Sequence, residues 1–331
     1  MAMTSPGVLP SSSTVAVIIA AFNAADMVAV AVRSALAQPE ASEVWVVDDA
    51  STDATSEVAE ACDDGTGRLR VVRAAVNGGP AAARNIALEA TRADWVCVLD
   101  ADDWFAPDRL TKLLFAAGGA EMVADTLTRV AGPEAASAAG SGESRVAKTE
   151  WTSIDLAAFI DGNVSRRGRH REELGFIKPI ISTVFLRRHR IQYAPRLRLG
   201  EDFLLYAQVL AHGGRLRLGP PCGYLALTRP DSLSGRHTIS DLEALRDCTK
   251  SLERIRTLSP LEREAIRRHW RSVDDRLQWR RLIEAVKARN LGAALATFHD
   301  PAAALNLVGK LGEQAWLRTQ RRLTGTSRTG P

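Results

Sequence analysis

The run Val96-Cys97-Val98-Leu99 stops on Asp100-Ala101-Asp102-Asp103, and few folded arrangements accommodate that junction. A short apolar run of this kind suits a strand buried inside a sheet. Each unpaired carboxylate carried into such a strand would cost several kcal/mol to desolvate. The acids therefore belong at the strand's carboxyl end, the edge at which an open α/β sheet receives ligands. Asp100 and Asp102 share one side of an extended chain and can converge on a point. Hard oxygen ligands placed so suit Mg2+ or Mn2+ that also holds substrate phosphates. A helix start is the alternative: Pro107 with Asp108-Arg109-Leu110 reads as one, and an acid there complements the helix dipole. That accounts for one acid, not for three.

The residues before this junction repeat one pattern. Residues 15–20 (VAVIIA) read as a strand, the turn Ala21-Phe22-Asn23-Ala24 opens an Ala-rich helix to about residue 38, and 44–47 (VWVV) forms a second strand closed by Asp48-Asp49. Ser51 or Thr52 is expected to cap the next helix, with Asp53 in its first turn. Residues 69–73 make a third strand, Asn77-Gly78-Gly79-Pro80 turns into a helix over 81–90, and 95–99 is the fourth strand. Strands alternating with short helices imply βαβ units and a parallel sheet. Polar residues gather where these strands end, as at a nucleotide site.

Regularity fades after a helix over 107–117 and a strand-like run at 121–127. Residues 131–148 are Gly/Ala/Ser-rich and read as a mobile loop, and 161–173 is an Arg-dense loop, either solvated surface or a phosphate-facing lid. Residues 176–190 are apolar again. Leu199-Gly200-Glu201-Asp202 then leads into an amphipathic helix over 203–211 ended by Gly213-Gly214. Strands at 215–218 and 224–228 precede a polar loop with Arg229, Ser232, Ser234, Arg236 and His237, which either wraps a diphosphate or forms an ordinary turn. From 239 onward helical periodicity dominates.

Charge and cysteine usage narrow the class. The four cysteines lack C-x-x-C spacing, so neither a zinc knuckle nor a disulfide framework is indicated, and a reducing cytosol fits. Residues 1–14 are Ser/Pro-rich, do not resemble a signal peptide and are expected to be disordered. No apolar run reaches the ~18 residues of a membrane span. Basicity is concentrated late: residues 241–331 hold 18 Lys/Arg against 11 Asp/Glu, within a chain of net charge +4. No nucleic-acid partner is expected.

Taken together, VAVIIAAFNA (15–24), VWVVDDASTD (44–53), NGGPAAARN (77–85), VLDADDWFAPDRL (98–110) and LGEDFLLYAQVLAHGG (199–214) resemble the family 2 glycosyltransferases of the GT-A fold. Within that family the chain is most similar to bacterial exopolysaccharide glucosyltransferases of the succinoglycan type, through ELGFIKP, LRLGED and DSLSGRH among others. The resemblance implies a Rossmann-like mixed sheet flanked by helices over 15–240, with a nucleotide-binding half at 15–127 and an acceptor half at 150–240. A basic helical extension then covers 241–331.

The resemblance also assigns roles. Phe22 and Asn23 border the nucleotide, and Asp49 accepts the uracil imide N–H. Asn77, Gly78 and Gly79 let backbone approach the nucleoside, with Arg84 and Asn85 adding donors. Asp100 faces the ribose and Asp102 binds Mg2+ or Mn2+ between the phosphates, while Asp103 supports it or caps the following helix. Asp202 is the general base of inverting transfer, and repulsion from its neighbour Glu201 would raise one pKa. Arg229, Ser234 and Arg236 close over the diphosphate, and His237 is a further metal ligand. The partners implied are a UDP-sugar donor, a lipid-linked saccharide acceptor and the cytoplasmic membrane surface.

Arg263, Arg267, Arg268, Arg271, Arg276, Arg280, Arg281, Lys287 and Arg289, interleaved with Trp270 and Trp279, either face anionic headgroups or pair with acids such as Asp274 and Glu284. The Gln-x-x-Arg-Trp element of processive relatives is absent, which implies single-residue addition. A haloacid dehalogenase phosphatase would carry Asp-x-Asp on its first strand, and a sugar-nucleotide pyrophosphorylase would open with a Gly-rich loop; neither matches. The remaining alternatives are a non-catalytic membrane- or partner-binding scaffold on the same fold, and a glycosyltransferase of another cell-envelope polysaccharide.

Overall fold

The computed structural model of the protein describes residues 13–132, 149–164, 172, 174–228, 237–298, 304–305, 307–312 and 316. The expected disordered start, most of the 131–148 loop, most of the Arg-dense 161–173 loop, and Arg229, Ser232, Ser234 and Arg236 lie outside the described residues.

The first half alternates as the sequence implies: β1 (Val15–Ala21), α1 (Val28–Leu36), β2 (Ala41–Asp48), α2 (Thr55–Glu60), β3 (Leu69–Arg73), α3 (Pro80–Ala90) and β4 (Trp95–Val98). Strand β1 pairs in parallel with β2 and β4, and β2 with β3. Its side chains alternate between two cores. Ala16 and Ile18 pack with Ala83, Ala87 and Leu88 of α3, while Val15, Val17 and Ile19 pack with Ala31, Val32 and Ala35 of α1. Burial on both faces explains why the strand reads as an unbroken apolar run.

The second half adds β5 (Trp104–Phe105), α4 (Arg109–Ala116), β6 (Met122–Asp125), β7 (Thr128–Val130), β8 (Thr152–Ile154), α5 (Leu156–Gly162), β9 (Ile180–Ser182), α6 (Thr183–His189), α7 (Glu201–Ala211), β10 (Leu216–Gly219) and β11 (Tyr224–Leu227). The main sheet runs β3-β2-β1-β4-β9-β6-β10-β8, and β5-β11-β7 form a small second sheet. Strand β9 is antiparallel to both β4 and β6, so the sheet is mixed. This strand lies inside the stretch that the sequence shows only as apolar.

Two local expectations are corrected. Helix α2 starts at Thr55 with Ala54 at its cap position, not with Ser51 or Thr52. Ser51 Oγ instead accepts the Asn23 amide, and Asn23 Oδ1 accepts Thr52 N–H, so these side chains join the turns after β1 and β2. Helix α7 begins at Glu201, so the two acids occupy its first turn instead of preceding it. Gly200, at φ +75°, supplies the left-handed entry, and a Cβ there would stand 2.9 Å from Leu245 Cδ1.

That contact joins α7 to the C-terminal helices α8 (Ile239–Ser251), α9 (Pro260–Lys287) and α10 (Leu291–Ala296). Leu242, Leu245, Ile266, Val273 and Leu277 share one apolar core with α3 and α7. His269 stacks on Phe203 with ring centroids 4.3 Å apart, and Arg268 pairs with Asp161 at 2.8 Å. The helices after residue 240 are thus packed into the body of the protein. Several of their arginines are engaged: Arg281 binds Glu243, Arg280 binds Glu284, and Asp274 receives Arg246 from α8.

Candidate active site

The carboxyl ends of β1, β2 and β4 lie side by side because these strands are parallel neighbours in register. At the end of β1, Phe22 is 50% exposed and Asn23 takes a left-handed backbone, φ 49°. At the end of β2, the carboxylate of Asp49 accepts the amides of Gly78 at 2.8 Å and Gly79 at 2.7 Å, while Asn77 Nδ2 donates to the Asp49 carbonyl. Asp49 is therefore a brace for the turn into α3. Both its oxygens accept backbone donors, and each has a further lone pair for a ligand donor.

Arg84, expected to add a donor to the nucleotide, lies in α3 behind the turn. Its guanidinium is buried and directed to carboxylates: NH1 to Glu201 Oε1 and Asp202 Oδ1, both at 3.0 Å, and NH2 to Asp100 Oδ1 at 2.9 Å. Asn85 likewise faces protein, exchanging two hydrogen bonds with the Tyr193 backbone. The Tyr193 ring in turn lies 5.4 Å from the Arg84 guanidinium carbon. Charge compensation explains the arrangement, since three acids brought together at low exposure require cations.

Lys178 supplies the second cation; it lies within the ELGFIKP segment that carries the resemblance, although the resemblance assigns it no role. Its ammonium is 2.7 Å from Asp202 Oδ2 and 2.9 Å from Asp100 Oδ2. Burial disfavours the Asp100 anion, yet Lys178 and Arg84 outweigh it and hold the carboxyl below its usual range. Glu201 moves the other way: burial and the adjacent Asp202 charge push its pKa up, with Arg84 opposing. The expected repulsion is present, but burial is the larger cause. The sequence signals for Lys178 are its place in ELGFIKP and a lysine standing alone in an apolar stretch.

Asp102 and Asp103 differ in environment. Asp102 is half-buried, whereas Asp103 is buried and accepts the Tyr224 hydroxyl at 2.7 Å and the Leu227 amide at 2.8 Å. Asp103 therefore supports the acid-rich turn and does not cap α4, whose cap position is Asp108. Burial, with the charges of Asp100 and Asp102, pushes its pKa up to about 7. Among the described residues, no three His, Cys, Asp or Glu side chains gather into a metal cluster. A sheet edge with few protein carboxylates still fits Mg2+ or Mn2+, an ion that can take its other ligands from phosphate and water.

A model of the glycosyl transferase family 2 domain matches residues 16–149. The succinoglycan biosynthesis protein ExoU of Rhizobium meliloti (strain 1021) is 45% identical over 296 residues, 89% of this chain and 86% of that protein. ExoO of the same organism, also a succinoglycan biosynthesis protein, is 34% identical over 306 residues, 91% and 86% of the two chains. Among solved structures, S. aureus TarS 1-349 in complex with UDP-GlcNAc aligns with a TM-score of 0.61 at 18% identity, covering 86% of this chain and 90% of that one. The mannosyltransferase PcManGT of Pyrobaculum calidifontis, in complex with GDP-Man and Mn2+, aligns at 0.54 and 20% identity, covering 95% and 86%. These two likenesses show a common fold, GT-A.

Proposed function

This chain belongs to the family 2 glycosyltransferases, and from that premise we propose that it moves a hexose, glucose by resemblance, from a UDP-sugar to a hydroxyl of a lipid-linked oligosaccharide. Transfer proceeds one residue at a time, with inversion, in the assembly of an exopolysaccharide of the succinoglycan type. The observation that carries this reading is the shared clamp of Arg84 and Lys178, which brings Asp202 of α7 to the Asp100 end of β4.

In the proposed step the acceptor oxygen attacks the anomeric carbon from the side opposite the diphosphate. Asp202 takes the hydroxyl proton, and the bond to the diphosphate oxygen breaks with its electron pair. Asp202 lies between two cations and its carboxylate oxygens have lone pairs beyond those that Arg84 and Lys178 occupy. Asp49, Asn77 and Gly78 border the base and Asp100 the ribose, with Phe22 and Asn23 at the rim and Arg229, Ser234 and Arg236 over the diphosphate. Asp102, with His237, would hold the divalent ion, Mg2+ or Mn2+, whose charge offsets that of the leaving diphosphate.

The acceptor places the enzyme at the inner membrane surface. Among the described residues no helix is long and apolar enough to cross a membrane. Contact would run through the C-terminal helices, where Leu291 and Leu295 are 79% and 73% exposed. A donor screen tests the central reading: nucleoside diphosphate release, UDP from UDP-sugars and GDP from GDP-sugars, with Mn2+. Turnover of a UDP-sugar supports it, and exclusive use of GDP-sugars contradicts it.

A further inference from the structure

Lys178 stands where the donor side and the acceptor side of the site meet. It precedes β9, the strand inserted antiparallel between β4 and β6. Its main chain is fixed from below: the Lys178 carbonyl accepts from Arg109 NH2 at 2.6 Å, and Arg109, fully buried, is itself bound to Asp125 at 2.7 Å. Its side chain reaches the other way, and only 5% of the residue is exposed. An ammonium so buried is tolerated when it is matched by anions and hydrogen-bonded. Lys178 meets one on each side of the reaction, Asp100 at the end of β4 and Asp202 in the first turn of α7.

Arg84 makes the same connection through the other carboxylate oxygens. The two cations are not equivalent. The Arg84 guanidinium is planar and divides its contacts among Asp100, Glu201 and Asp202, whereas Lys178 is a point charge whose ion pairs, among the described residues, are with Asp100 and Asp202. Of the groups facing Asp202, Arg84 and Lys178 are cations, Glu201 and Asp100 are acids, and Tyr193 and Tyr206 carry hydroxyls. Removing Lys178 leaves Asp202 with one cation that two other acids also use.

We propose that Lys178 is a positioning residue for the transfer step, a strut that fixes the base Asp202 against the donor-side Asp100 so that the acceptor hydroxyl gives up its proton to Asp202 as its oxygen attacks the anomeric carbon. The proposal rests on the functional reading above. Lys178 touches neither donor nor acceptor in this role. Its loss acts on turnover through Asp202, and donor affinity is retained because Asp100 keeps Arg84.

The test uses full-length protein with Mn2+ and whichever of UDP-glucose, UDP-galactose and UDP-N-acetylglucosamine the wild type hydrolyses. Lys178→Met is expected to lower kcat by about 30-fold or more, a share of the usual contribution of a positioned base. UDP affinity by calorimetry should stay within about three-fold. The acid limb of the kcat–pH profile should move to higher pH, because a carboxylate that loses a neighbouring cation holds its proton more tightly. Lys178→Arg, which keeps the charge, should recover part of kcat and return the limb toward the wild-type position. Equal kcat and an unmoved limb in Lys178→Met would overturn the proposal. So would parallel loss of UDP binding and kcat with an unmoved limb in both variants, the pattern of a merely structural lysine. If Asp202→Asn turns over like the wild type, or no UDP-sugar is consumed, the functional reading itself has failed and the strut falls with it.

Discussion

The Tyr224 hydroxyl donates to Asp103 Oδ2 at 2.7 Å and accepts the Asp100 amide at 3.2 Å, so one side chain from β11 holds both ends of the acid-rich turn. Tyr224 is completely buried, with its ring 5.8 Å from that of Phe105. Tyr224→Phe keeps the ring and removes both bonds. The expected cost is about 1–3 kcal/mol of stability for buried partners left unmatched, with weaker Mn2+-dependent UDP binding as the turn loosens. Chemical denaturation and calorimetry check the two effects.

Asp102 and Asp103 should separate cleanly. Asp102→Ala is expected to abolish Mn2+-linked UDP binding and transfer while leaving the melting temperature nearly unchanged. Asp103→Ala strands the Tyr224 hydroxyl and the Leu227 amide, so its main loss should be stability. Equal loss of Mn2+-linked binding in both variants would show that the ion's ligand has been misassigned.

Acid should weaken the fold through Asp48. Burial raises its pKa, but hydrogen bonds from Ser51 and Ser56, with Arg73 nearby, prevail and lower it. A carboxyl whose folded pKa lies below its unfolded one contributes stability above the unfolded value, about 4, and loses that contribution as pH falls through the folded value. The drop in melting temperature between neutral and acid pH should therefore be smaller in Asp48→Asn than in the wild type.

Membrane contact is best tested on the intact chain. A truncation at residue 240 would remove Leu242, Leu245, Ile266 and Leu277 from the shared core, so it would report unfolding. Leu291→Asp with Leu295→Asp alters exposed positions only. Flotation with anionic liposomes at low salt should fall in the double variant, and unchanged flotation would remove these helices from the contact.

Much of the first half could be read directly, and the reason is local. Strands β1 and β4 are continuous apolar segments bounded by turn residues, and each strand end carries its polar group within a few positions. The later features depend on distance along the chain. Strand β9 has three residues and pairs with strands encoded far upstream, so no periodicity announces it. The destination of Arg84 lies more than a hundred residues away at Glu201 and Asp202, and nothing near residue 84 distinguishes a clamp on carboxylates from a donor to nucleotide. Lys178 lies in the ELGFIKP segment, but its partners Asp100 and Asp202 are equally remote along the chain. The membership of α8 and α9 in the main core was obscured by an arginine-rich composition that suggests a separate surface element.

The central claim is that Asp202 accepts the proton from the attacking hydroxyl, and the direct measurement is a comparison of wild type and Asp202→Asn for both turnover and UDP affinity with Mn2+. Asparagine preserves the shape and one acceptor oxygen for Lys178 or Arg84 but cannot serve as the base. The account predicts a fall in kcat of about 100-fold or more, with UDP affinity close to the wild-type value. Comparable turnover in the two proteins would contradict it and move the base to Glu201 or to another group.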